Sequence, residues 1–253
     1  MPDLFNWLLV FLRASAMLAV FPLFAFGHVP RTVRVALGAM IAFLVAPLLP
    51  ILPTAGLDLW GATGLMGLEV GFGLLLGFIS RMFLYALEIA GTLIAMEIGL
   101  SMPGALNPFT NTSTTEIATV LQNLGVMLFL TLNLHHGLLV AFQRSYHFLP
   151  VGGGHLHEAL VLDMLARTNH LFWFALQMSA PILAVSFMVT LIFSVLSRAV
   201  PQMNVFLENF TVRLLAGLSV FGLTCQLMGE HIGNYIGRLP EDVLRVAQLM
   251  GMN

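Results

Sequence analysis

The chain has 253 residues, 58% hydrophobic and 9% charged, and its mean hydropathy is +0.93. Soluble domains carry about 25% charged residues, so a water-soluble surface cannot be assembled from this composition and the chain reads as an integral membrane protein. A formal net charge of -2, a pI near 6.4 and the lack of any Lys/Arg-rich run exclude a basic field for nucleic acid.

The first apolar run covers residues 4–26. Met1 to Asp3 holds no basic residue, the run is longer than a signal-peptide core, and no small-residue cleavage pattern follows, so a retained membrane segment is expected. Further apolar runs cover 33–52, 64–100, 117–142, 171–199 and 205–228. Each is near or above the ~20 residues that cross a bilayer as helix, which predicts six spans. The separators are Pro/Gly punctuation: Gly27-His28-Val29-Pro30, Pro50 to Gly56, Met102-Pro103-Gly104 with Asn107-Pro108, and Leu149-Pro150-Val151-Gly152-Gly153-Gly154. No soluble domain or low-complexity linker interrupts this pattern, so residues 1–253 are expected to form one membrane-embedded, all-α domain.

A six-span topology fails its own charge test. One side would carry Arg31, Arg34 and Arg198 and the other Arg144, Arg167, Arg238 and Arg245, so the positive-inside rule chooses no orientation. Helical hairpins that do not cross in the ordinary way are the alternative. Charge inside the apolar runs favours it: Arg13, Glu69, Arg81, Glu88, Glu97, Arg198, Glu208 and Arg213 all lie in or beside them. A lipid-facing charge at a helix centre costs about 2.5–3.5 kcal/mol, so these groups must face protein or water. Arg81 and Glu88 share a helix face but stand ~10 Å apart along its axis, too far to pair. Glu69, Arg81, Glu88, Glu97, Glu208 and Arg213 are therefore assigned to subunit interfaces.

Gly67/Gly71 and Gly73/Gly77 are small-xxx-small pairs that let helix backbones approach closely in lipid. The lone Cys225 sits in an apolar run and reads as a buried, inert thiol. Neighbouring His135 and His136 project about 100° apart on a helix and cannot chelate one ion together. His155, His157 and His170, near Glu158 and Asp163, read as a solvated loop. No metal or cofactor is expected. No nucleophile elbow, zinc signature or phosphate loop occurs in a suitable setting, so no catalytic residues are assigned and the chain is not expected to be an enzyme.

The stretch Ser197-Arg198-Ala199-Val200-Pro201-Gln202-Met203-Asn204-Val205-Phe206 lies between two membrane-grade runs. Pro201 removes a backbone donor and biases Val200 away from helical dihedrals, so a helix must end or turn there. Irregular backbone at membrane depth survives only where protein or a wet cavity meets it. Arg198, Pro201, Gln202 and Asn204 are thus a hinge and assembly element, with Arg198 anchoring it through backbone carbonyls or a partner carboxylate.

Several motifs together resemble one family. They are Phe21-Pro22-Leu23-Phe24 with Val29-Pro30-Arg31 and Arg34-Val35-Ala36-Leu37, Glu69 before Gly71-Phe72-Gly73-Leu74-Leu75-Leu76-Gly77, Ala90-Gly91-Thr92-Leu93-Ile94 running to Ile98-Gly99-Leu100-Ser101, Leu149-Pro150-Val151-Gly152 and, most specific, the 197–206 hinge. Over nearly the whole chain the sequence resembles the FliR family of flagellar export proteins, the SctT family of injectisomes. Three departures stand out. Glu97 occupies a place where the family commonly has glutamine, Asn107-Pro108 replaces Asp-Pro, and Asn209-Phe210-Thr211-Val212-Arg213 replaces Gly-Phe-Pro-Leu-Lys.

The resemblance implies a single-copy, pore-forming subunit of the type III export gate, through which unfolded proteins cross the bacterial inner membrane at the flagellar basal body. It implies a helical hetero-oligomer with FliP-family and FliQ-family subunits, together with an FlhB-family protein and membrane lipid. Ser101, Met102, Pro103, Leu106, Asn107, Pro108 and Phe109 fall in the loop that the resemblance makes the plug of the closed pore. A secondary transporter with an ion or anion site at a broken helix is the other class left open.

Overall fold

The computed structural model describes residues 2–24, 29–50, 58–100, 115–154, 157–200, 202 and 204–251, and every regular element among them is helical. Helix α1 covers Pro2–Val20, α2 Arg31–Val45, α3 Leu59–Ile98, α4 Glu116–Thr131, α5 Leu134–Phe148, α6 Glu158–Ala199, α7 Val205–Ile236 and α8 Leu239–Gly251. Short 3-10 turns follow α1 at Pro22–Phe24 and α2 at Ala46–Leu48.

The breaks have local causes. Pro30 precedes α2 with φ -55° and ψ 144°, the extended conformation that a proline ahead of a first helical residue readily supplies. Thr115 opens α4, its Oγ1 accepting the amide of Ala118 at 3.3 Å. Helix α3 ends at Gly99, whose φ of +83° is left-handed and suits glycine. Helix α6 stops at Ala199, before Pro201, and the carbonyl of Asn204 accepts the amides of Leu207 and Glu208 to start α7. The break predicted at the hinge is therefore present.

Other expectations need correction. Residues 117–142 do not form one continuous helix: Asn133 adopts φ 54° between α4 and α5. Asparagine tolerates the left-handed region because its short polar side chain compensates locally, so this break needs neither Gly nor Pro. The helix expected from Leu171 begins at Glu158 and continues through Pro181, and α8 follows the last expected segment. Among the described residues four helices are long and apolar enough to cross a membrane, or up to five if α4 and α5 together count as one span. Glu158 and Asp163 accordingly lie on a helix, not in a solvated loop.

Contacts divide the chain into two compact units. The first takes residues 1–82, 129–167 and 236–253. Its core is built from Leu9, Val10, Met17, Leu76, Phe142 and Val246, all at most 2% exposed. Gly73 and Gly77 fit against α1: a Cβ on Gly73 would strike the carbonyl oxygen of Arg13, and one on Gly77 would lie 2.6 Å from that of Met17. Gly64, Gly67 and Gly71 instead face open space among the described residues, where Gly73/Gly77 is the predicted glycine pair that packs. Helix α8 lays Leu239, Val243, Val246, Ala247 and Met250 against α5, where Gly137 meets Pro240 and Gly251 meets the Phe148 carbonyl.

The second unit takes residues 83–128 and 168–235. Phe83, Leu87, Ile94 and Ile98 of α3, Ala118 and Leu121 of α4, Ala175 and Ile182 of α6, and Ile232 of α7 are buried in this unit. Gly91 lies against the backbone of Ala118 and Gly217 against Ile98. Phe174 stacks on His231 at 4.8 Å and meets Tyr235 at 4.3 Å. Across the most apolar window of α6 only 22% of residues are buried, whereas the figure for α3 is 61%.

Candidate functional site: two ion-pair nodes and the hinge

In the first unit Arg13 of α1 and Glu69 of α3 form a bidentate pair, Nε to Oε2 at 2.5 Å and Nη2 to Oε1 at 3.0 Å, with both side chains 0% exposed. Arg13 Nη1 also donates to the Leu149 carbonyl at 3.0 Å, and the Gly152 amide donates to Glu69 Oε1 at 2.9 Å. The guanidinium carbon lies 4.1 Å from the Tyr146 ring centroid and 5.8 Å from that of Phe72. Sequence reasoning singled out both charges but assigned Glu69 to a subunit interface. Its partner is in the same chain, 56 residues away. With three donors and no exposed surface, this carboxylate is met within its own chain without a neighbouring subunit.

In the second unit Arg213 Nη2 of α7 reaches Glu97 Oε2 of α3 at 2.7 Å, and Ser186 Oγ of α6 donates to the same oxygen at 2.9 Å. The side chains of Arg213 and Glu97 are 27% and 36% exposed. Two positions that look like separate departures from the family pattern are thus one contact. The node sits where α3 ends, with the Phe210 ring packed against Gly99. Arg213 Nε and Asn209 Oδ1 are buried without a hydrogen-bond partner among the described residues. Glu88, also assigned to an interface, accepts from Gln122 Nε2 at 3.3 Å within this unit.

A third cluster was not foreseen. Arg167 pairs with Asp163 at 2.6 Å and with Asp242 at 2.7 Å, and Arg245 reaches Asp163 at 3.2 Å, tying the start of α6 to α8. The i,i+4 spacing of Asp163 and Arg167 was the available signal.

At the hinge Arg198, Gln202 and Asn204 are exposed, as is Glu208 of α7, and Arg81 is half-buried on α3. The Arg198 side chain makes no hydrogen bond or ion pair among the described residues. Pro201 lies outside the described residues, as do Ser101, Met102, Pro103, Leu106, Asn107, Pro108 and Phe109 of the expected plug. Two smaller readings change. Cys225 is exposed on α7, and the rings of His135 and His136 lie 4.2 Å apart because side-chain rotation brings together what the helix spacing separates. Among the described residues no three His, Cys, Asp or Glu side chains gather as a metal site. The nodes bind backbone and oppose charges; their chemistry is positional.

A family profile described as bacterial export proteins, family 1, matches residues 4–239. The flagellar biosynthetic protein FliR of Escherichia coli K12 is 27% identical over 245 residues, covering 96% of this chain and 93% of that protein. The Bacillus subtilis FliR is 27% identical over 255 residues, covering 99% and 98%. That of Caulobacter vibrioides is 30% identical over 224 residues, covering 85% and 86%. With the profile matching almost the full length, the chain belongs to family 1 of the bacterial export proteins, the FliR family.

Proposed function

We propose that the chain is a structural, pore-forming subunit of the flagellar type III export gate, assembled with FliP-family, FliQ-family and FlhB-family membrane subunits in the bacterial inner membrane, and that unfolded proteins pass through the assembly. The coarser part, a membrane component of a flagellar export apparatus, follows from family membership, and the near-complete match over 4–239 is the observation that carries it. The finer part draws support from the chain's surface. Arg198, Gln202, Asn204 and Glu208 stand exposed beside apolar residues such as Val195 and Leu207, at 71% and 58% exposure. Each charge left in lipid costs about 2.5–3.5 kcal/mol at a helix centre, so protein partners or water must cover this surface.

Within this reading the hinge, with Glu208, Arg81 and Glu88, contributes to contacts between subunits, and residues 101–109 seal the closed pore through Met102, Leu106 and Phe109. Co-expression with the neighbouring export genes, followed by native mass spectrometry, tests the assembly. The expected result is a stable heteromeric complex and poor behaviour of the chain alone. A monodisperse, thermally stable monomer extracted without partners overturns it. Deleting residues 102–110 in the assembled complex should leave assembly intact and make membranes leaky to ions. Unchanged conductance removes the sealing role.

A further inference from the structure

We propose that the Arg13–Glu69 pair is a polarity-directed clamp that sets the turn after α5, and that its orientation matters more than its mutual attraction. The argument begins with the backbone of that turn. The last carbonyls of a helix have no intrahelical partner. Helix α5 ends at Phe148, and the amide three residues beyond Leu149, that of Gly152, is turned to Glu69 instead of to the Leu149 carbonyl. That carbonyl is served from outside, by Arg13 Nη1 at 3.0 Å. Three residues on, the Gly152 amide has the opposite need and is met by Glu69 Oε1 at 2.9 Å. Gly152 has φ +73°, a left-handed conformation open to glycine, and the Gly153 amide donates to the Pro150 carbonyl at 2.9 Å within the turn, so the groups at Leu149 and Gly152 are the ones the pair serves.

The turn thus presents an acceptor followed by a donor, and the pair presents a donor followed by an acceptor in matching order. A cation also sits favourably at the carbonyl end of a helix. Arg13 lies 136 residues before the carbonyl it caps, and Glu69 lies 83 residues before its amide. The α1–α3 packing itself does not call for charge, since Gly73 and Gly77 already fit against the α1 backbone. Buried ion pairs replaced by apolar residues of similar volume often leave stability unchanged. What such a replacement removes here is the external cap on both ends of the turn.

This separates the clamp from an ordinary salt bridge, which tolerates exchange of its ends. The test is hydrogen exchange on the full chain co-expressed in its complex, read in peptides covering residues 149–157, with α1 and α3 peptides as internal controls. For R13M/E69L the Gly152 region should exchange at least about tenfold faster while α1 and α3 keep their protection. For R13E/E69R the same loss is expected despite the retained opposite charges, because a carboxylate then faces the Leu149 carbonyl and a guanidinium faces the Gly152 amide. Protection at Gly152 that survives in either double variant overturns the proposal. So does loss of α1 and α3 protection in R13M/E69L, which makes the pair a packing element of the two helices instead.

Discussion

The two ion-pair nodes use the same chemistry to different ends. Arg13 and Glu69 are fully buried, and the donors and acceptors they present meet partners on α1, α3 and the turn after α5. Glu97 and Arg213 are about a third exposed, and Arg213 Nε and Asn209 Oδ1 have no hydrogen-bond partner among the described residues. Burial decides what each is worth. A buried pair that loses one member leaves an uncompensated charge out of water, whereas a solvent-reachable pair is screened and re-solvated when broken. The first node is a fixed part of one unit, and the second is an adjustable one at the end of α3.

The largest effect is expected from Glu69→Ala, which strands Arg13 and should destabilise the protein by about 3–5 kcal/mol, seen as a large fall in folded yield and in the thermal midpoint of the purified complex. A variant as stable as the parent would erase the contrast between the nodes. Next comes Gly73→Leu, where the new side chain meets backbone rather than a movable side chain, for a cost of about 1–3 kcal/mol or more. Its control is Gly67→Ala, facing open space, which should leave the stability of the chain within about 1 kcal/mol. If Gly67→Ala preserves the folded chain but lowers complex yield, a partner helix packs there.

Arg167→Ala, which frees Asp242 and leaves Asp163 with Arg245, should cost about 1 kcal/mol and loosen α8, measurable as faster proteolysis after Arg238 or Arg245. The smallest effect belongs to the second node: Arg213→Ala should cost below about 1 kcal/mol in thermal stability, and the loss should shrink as salt is raised. A salt-independent loss as large as that of Glu69→Ala would show that the assembled complex buries this pair.

Much of the architecture was readable in advance. The apolar runs became helices and the hinge broke where Pro201 required it, because both depend on local hydropathy and backbone sterics. The break at Asn133 was missed because a left-handed asparagine leaves no signature as strong as Gly or Pro. Of the candidate residues, the charges were recognisable as anomalies, but their addresses were not. Glu69 and Glu97 were assigned to subunit boundaries, yet each is bound within its own chain.

By itself, then, the sequence determined the class, the helical content and the stop between α6 and α7 ahead of Pro201, since these follow from interactions within a few residues. Tertiary structure alone decided that Arg13 meets Glu69 across 56 positions, that Arg213 meets Glu97 across 116, and that Gly73/Gly77 rather than Gly67/Gly71 takes the close helix contact. Charge pairing and backbone contact act over a few ångströms of space, and separation along the chain does not say which helices will be brought that near.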